Sequence, residues 1–403
     1  MALLKWELRK IWRPGILAAI ALLGLFFYDI RPGFYLEHFR DGSDFGGAQF
    51  HLASGWLERY GTTMEPAERA ELDGQLAELE AEFARQVTEL PGAAEAGITD
   101  YASFQSWREK YDDHSRAGEA EEAASQLYWA IYYDTNMNMV ESLVEFMERY
   151  DALAAGASAV DWGGYIEEAS PASAGSIERV QAVEAGPNVF GFLPPCVIQS
   201  TNSFFHYFAI WCVFSAVLLL SPTLVRDRLH GTRAMQWTAC RGRKILDVQM
   251  GAALLSGLLL TLLNTAVYLG PFLSTGALRF WDCPLTGVWS RTFPWFDWSY
   301  GQYLLALSLL TLLLVLAAAG STVVLSQYSE TYVAMLLKAI PLIFVLCWGL
   351  VPWVMEGAVL FSGGPTRLTG VPGSEFFLGG IAAALGIGMC GWSCRRQRKR
   401  ELC

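Results

Sequence analysis

The sequence predicts an all-α fold, a polytopic membrane protein with six transmembrane helices and a helical extracellular domain between helices 1 and 2. Three observations predict it. First, six apolar runs, roughly 15–30, 204–222, 245–273, 303–325, 332–355 and 376–392, reach or approach the ~20 residues that cross a hydrocarbon layer. Second, the net charge of −11 is unevenly spread: residues 32–202 hold 30 acidic and 9 basic residues, and the rest of the chain holds 10 and 20. An asymmetry this large marks two environments. Third, the basic residues gather at three places that fall on one side of six spans: 4 in the N-terminal tail, 6 in Arg226–Lys244 and 5 in "RRQRKREL". Positive charge marks the cytoplasmic side. Both termini are therefore expected in the cytoplasm and residues 32–202 outside.

In chain order, residues 1–31 hold a basic amphipathic start and the first span. The run after Lys5, Arg9, Lys10 and Arg13 is followed by "YDIRPGFY", which lacks small residues at cleavage spacing, so it reads as a retained anchor. Asp29 and Arg31 at its far end are expected to pair with each other or with water. Residues 32–202 form the acidic domain. In "EPAERAELDGQLAELEAEFARQVTEL", Leu72, Leu76, Leu79, Phe83, Val87 and Leu90 recur at helical steps, and Pro91-Gly92 ends the helix. A shorter helix is expected over Tyr101–Asp112. "EEAASQLYWAIYYDTNMNMVESLVEFMERYDALAA" reads as one long helix with an apolar face through Leu127, Ile131, Val140, Leu143, Val144, Met147 and Tyr150. Small residues and proline over 154–186 predict a hinge or loop. The domain's acidity admits two readings, attraction of cationic ligands or an ordinary solvated surface, and charge runs on helices favour the second.

Residues 203–394 carry spans 2–6. Charge inside them is almost absent; Lys338 is expected to snorkel, and Asn264 to bond a neighbouring helix. His206 reads as an interfacial histidine. Cys196 and Cys283 near the outer face admit pairing or two separate thiols. Residues 395–403 are a basic tail. The chain lacks a Walker phosphate loop, H-E-x-x-H and G-x-S-x-G, and its five histidines are scattered. No catalytic, cofactor or metal site is predicted.

Between spans 2 and 3 lies "RDRLHGTRAMQWTACRGRK". Gly231 breaks the preceding helix, Thr232 is a candidate cap, "RAMQWTA" makes about two turns, and Arg241-Gly242-Arg243 ends it. The alternative is an ordinary positive-inside loop on lipid phosphates. At the N-terminus, "LLKWELRKIWRPG" reads as a helix with Leu3, Trp6 and Ile11 toward lipid and Lys5, Arg9 and Lys10 toward headgroups, with Pro14-Gly15 as the bend.

Together these stretches resemble the membrane (permease) subunit of type-2 ABC transporters, the class of bacterial exporters. An elbow helix, a coupling helix between spans 2 and 3 (here within 223–244) and a short second contact (here "SQYSETY") are that family's features. The resemblance implies docking of a separate ABC ATPase on Arg226, Asp227, Arg233, Trp237, Arg241 and Arg243, with Glu330 at the second contact. Lys5, Trp6, Arg9 and Lys10 are the elbow residues. It implies ATP and Mg on the partner chain and none on this one, a second permease copy or a related permease, lipids but no nucleic acid, and a bacterial plasma membrane. The implied cargo is an amphipathic peptide, antibiotic or lipid-like compound. The large acidic domain departs from the compact members of the class. The alternative is a membrane sensor or scaffold whose outer domain binds a ligand or partner.

Overall fold

The computed structural model describes residues 2–40, 47–112, 119–157, 173–231, 245–289 and 294–400. The fold is helical, with isolated bridges but no strand among these residues. Five helical stretches are long and apolar enough to cross a membrane, and a sixth span results if α1 (Ala2–Ile11) and α2 (Pro14–Ile30), bent by 48°, are counted as one. The break falls at Pro14, whose missing N–H and fixed φ suit the first turn of a helix and not its interior.

The insert follows as α3 (Pro32–Glu37), α4 (Ala48–Tyr60), α5 (Pro66–Thr88), α6 (Tyr101–Asp112), α7 (Glu119–Asp134), α8 (Met137–Ala154) and α9 (Ser173–Glu184). The Glu65/Glu68 capping box starts α5, and its predicted face is turned inward, with Leu72, Phe83 and Val87 fully buried. The stretch expected as one helix is two. Thr135 and Asn136 break it. Thr135 Oγ1 donates back to the Ile131 carbonyl (2.6 Å), and Asn136 is drawn sideways, its Nδ2 donating to the Leu79 carbonyl at 2.9 Å and its N–H to Gln86 Oε1 at 2.7 Å. Helix α9 lies inside the stretch expected to be loop.

The insert has two aromatic cores. At its tip, Phe83, Ile98, Phe104, Trp107, Ile131 and Val140 pack together. At its base, Trp56 stacks on Trp289 with ring centroids 5.3 Å apart and meets Phe146 at 4.7 Å and Phe192 at 5.8 Å. Trp289 lies in the connection between two later membrane helices, so the base core runs on into the bundle.

The bundle comprises α10 (Pro195–Leu220), α11 (Thr223–Leu229), α12 (Ile245–Ser274), α13 (Tyr300–Gln327), α14 (Tyr332–Phe344), α15 (Val351–Met355), α16 (Gly364–Thr369) and α17 (Ser374–Arg400). A π-helical turn, Val345–Leu350, joins α14 to α15 within one span. Helices α10 and α13 are the core, packed on each other and on α12, and α13 also packs on α17. At the α13–α17 crossing the backbones nearly touch: a Cβ added at Gly320 would overlap the Gly386 carbonyl group. Such close approach needs small residues at both positions, and dispersion between the backbones then holds the pair in an apolar medium. Asn264 bridges α12 to α10 through Nδ2 and Ser215 Oγ, 3.1 Å, as expected. Large apolar side chains remain exposed along α2, α12, α14 and α17, among them Leu25, Val267, Leu336 and Phe377. That surface suits a multi-pass membrane protein. Cys196 and Cys283 are separate buried thiols. Arg31 does not pair with Asp29; its guanidinium lies 5.4 Å from the Tyr207 ring centroid.

Candidate functional site

The residues singled out in the sequence converge on one end of the bundle, where α1, α11 and the turn after α13 meet. Helix α1 packs on α12. Leu4, Glu7, Leu8 and Ile11 recur at i, i+3, i+4 and i+7 and form its inner face. Ile11 is only 2% exposed, so the expectation that it faces lipid is corrected. Leu3 and Trp6 do face outward, Trp6 at 63% exposure, and Lys5 and Arg9 are exposed beside them. The Arg9 guanidinium sits 5.9 Å from the Trp6 ring centroid.

Lys10 departs from the expected headgroup position and turns inward. Its Nζ donates to Glu7 Oε1 at 2.9 Å and to Asp227 Oδ2 at 3.2 Å. Gln249, at the start of α12, donates Nε2 to the same Asp227 oxygen at 2.8 Å. Glu7, Asp227 and Gln249 are all buried. Buried carboxylates persist only where cations and donors satisfy them, and this cluster provides both from three helices. Trp12 adds a fourth tie, its Nε1 donating to Ser256 Oγ on α12 at 3.1 Å.

On the other side of α11, Arg228 reaches the end of α13. Its guanidinium donates to the Gln327 carbonyl at 2.7 Å and to the Ser329 carbonyl at 3.0 Å. Lys338 donates to the Tyr328 carbonyl between them at 2.9 Å. Carbonyls at a helix end have no partner within the helix and carry the negative pole of its dipole, so two cations there satisfy both demands. Ser326 Oγ donates to the Ser221 carbonyl at 2.9 Å and accepts the Leu224 N–H at 3.1 Å, fixing the joint between α10 and α11. Ser393 Oγ of α17 donates to Gln327 Oε1 at 2.6 Å.

The structure thus brings together Lys10 and Asp227, with the half-buried Arg226 next to Asp227 in α11, while Glu330 is exposed in the turn after α13. Arg233, Trp237, Arg241 and Arg243 lie outside the described residues. Sequence reasoning missed Glu7, Arg228 and Gln249. The first sits at a position of the inner face that apolar counting ignores. Gln249 is a polar residue in an apolar run, the signal that did single out Asn264. Arg228 had no local signal, since the carbonyls it reaches are about a hundred residues away in sequence.

Beside this cluster is a cavity of about 950 Å³ at the foot of α2, α10 and α14, whose lining includes Lys10, Arg13, Arg226 and Asp227. Among the described residues no group of histidine, cysteine, aspartate and glutamate is placed to hold a metal. Comparison with protein-family models, with curated proteins and with solved structures finds no match.

Proposed function

We propose that this chain is the membrane-spanning permease subunit of an ATP-driven transporter of the ABC type. A separate ATPase docks on the segment after α11 and on the turn holding Glu330, on the cytoplasmic side, and residues 32–202 stand outside. The chain hydrolyses nothing itself; ATP and Mg are bound by the partner. The cargo is an amphipathic peptide, antibiotic or lipid-like compound, carried outward along a path made with a second permease copy or a related one.

The observation that carries this reading is the pair of ties at α11. Asp227 fastens this short helix to α1 and α12, and Arg228 fastens it to the end of α13 and to the turn that follows. Force applied to the segment after α11 therefore reaches α1, α12 and the end of α13 by direct bonds, and α17 through Ser393 and Gln327. A transporter driven by a separate ATPase needs such a node, because a partner shifts an equilibrium only by binding two arrangements differently. Lys5, Trp6 and Arg9 hold the elbow at the lipid surface, while Lys10 and Asp227 act as internal braces. Arg226, Arg233, Trp237, Arg241 and Arg243 remain for the partner.

The test is co-purification of the tagged chain from its native membrane in mild detergent. A stoichiometric partner bearing a Walker phosphate loop, lost with Arg233→Glu/Trp237→Ala while the chain still reaches the membrane, is expected. A chain that comes down alone, or keeps its ATPase in that variant, refutes the docking assignment.

A sensor or scaffold reading is favoured by one observation: a groove of about 1040 Å³ at the insert's tip, walled by Trp107, Leu127 and the turn at Pro91. It predicts capture of a ligand by the insert and no ATPase in the purified complex.

A further inference from the structure

We infer that the cavity at the foot of α2, α10 and α14 binds the headgroup of an anionic phospholipid, whose acyl chains lie along the outward faces of α2 and α14. The charges come first. Its lining holds three fixed cations, Lys10, Arg13 and Arg226, against one carboxylate, Asp227. Lys10 and Asp227 are already bonded to each other. Arg13 uses only its Nε, which donates to the Lys10 carbonyl at 3.1 Å. The Arg226 guanidinium has no hydrogen bond or ion pair among the described residues. Among the described residues two guanidinium groups are thus available in one cavity, and a phosphodiester accepts paired N–H donors from such groups.

The walls decide between a lipid and a free anion. Ile16, Leu219 and Tyr332 line the same space, and helices α2 and α14 both pack on α10. Beyond the cavity, Leu22, Leu25 and Phe26 on α2 and Val333, Leu336 and Ile340 on α14 are exposed. A small phosphate would meet the charges and leave this apolar surface bare. A phospholipid meets both, since basic pockets between spans suit anionic headgroups and the flanking surface suits hydrocarbon. The site shares Arg226 with the docking surface proposed above but does not require a docked ATPase, and the test below needs only this chain.

Purified full-length protein in neutral detergent is titrated with phosphatidylglycerol or with phosphatidylcholine, and bound lipid is counted by native mass spectrometry. A third arm adds inorganic phosphate to the phosphatidylglycerol complex. We expect phosphatidylglycerol to be retained about tenfold more tightly than phosphatidylcholine, as befits charge-assisted bonding to one headgroup, and phosphate at equal concentration to displace none of it. Arg13→Gln is expected to erase the preference. Gly15→Leu tests the site without altering charge. A Cβ at Gly15 meets no atom within 4 Å, so the larger side chain is accommodated and narrows the cavity. It is expected to lower retention of both lipids. Arg59→Gln, on the insert, is expected to change nothing. Equal retention of the two lipids by the unmodified chain overturns the proposal, as does a preference that survives Arg13→Gln or an unchanged retention of both lipids by Gly15→Leu. Displacement by inorganic phosphate would make this a free-anion site and overturn the lipid assignment. If Arg13→Gln fails to fold, the Gly15→Leu result decides.

Discussion

Replacing Asp227 by alanine tests whether α11 is braced to the elbow. The substitution removes a carboxylate that accepts from Lys10 Nζ at 3.2 Å and Gln249 Nε2 at 2.8 Å. Gln249 is buried, and leaving its amide with one partner fewer costs about 1–3 kcal/mol. Lys10 keeps Glu7, and its side chain is 35% exposed against 12% for Asp227, so after screening the ion pair contributes about 1 kcal/mol. The sum is a loss of about 2–4 kcal/mol. Reversible unfolding in mixed micelles, followed by tryptophan fluorescence, measures it for Asp227→Ala, Lys10→Ala and the double variant. Because both residues share one cluster, the double variant is expected to be more stable than the summed singles by about 1 kcal/mol. Singles that add to within about 0.3 kcal/mol would show that the two side chains do not act on each other, and the brace would be refuted. Hydrogen exchange locates the effect: amides of α1 and α11 should open early in Asp227→Ala while those of α13 keep their protection.

Three further outcomes are expected. Gly320→Leu must push α13 and α17 apart, because its Cβ alone would overlap the Gly386 backbone; a loss of more than about 3 kcal/mol in the same unfolding assay checks this, and a near-neutral result contradicts the crossing. Arg228→Ala leaves two carbonyls of the α13 terminus without their cation and is expected to cost about 2 kcal/mol, and, under the proposed function, to weaken ATPase association; normal association with reduced stability would confine Arg228 to a structural role. In the insert, burial pushes the Glu141 carboxyl above its ordinary value of 4.5, against the opposing pull of its partner Arg108. A folded-state value raised above the unfolded one means that the folded protein holds the proton longer, so this group's contribution is most favourable below pH 4.5 and declines as pH rises through the raised value. The melting temperature of Glu141→Gln minus that of the unmodified chain should therefore rise with pH across this window, and a flat difference would deny the burial effect.

The fold was legible wherever a period ran long. Helix α6 has its expected ends, and the inner face of α5 is the predicted one, because leucine and phenylalanine at helical steps leave little choice about which side is buried. The break at Thr135-Asn136 was not legible. The apolar period continues across it, and what breaks the helix is Asn136 bonding to Leu79 and Gln86 on another helix. The same limit applies to the candidate site. Lys10 and Asp227 were visible as charges near apolar runs, but the direction of Lys10 depends on a carboxylate over two hundred residues away. Arg228 reads as one more loop arginine until the end of α13 is placed beside it. Periodicity reports which face of one helix is apolar. It does not report which polar residues of different helices complete each other's hydrogen bonds.

The division of the insert into two cores imposes an order of assembly. Among the described residues the tip core draws on the stretch from Leu76 to Val144, so it can close as soon as that stretch has been synthesised. The base cannot. Trp56, Phe146 and Phe192 wait for Trp289, which is made only after two more membrane helices. Until it arrives, the underside of a half-finished domain presents bare aromatic rings next to the membrane surface. Non-local contacts completed late leave apolar surface open to misassociation. The stretch of time between residues 192 and 289 is therefore when this protein is most dependent on protection, and a slow step in the intervening helices would be felt as aggregation of the insert, at a distance from its cause.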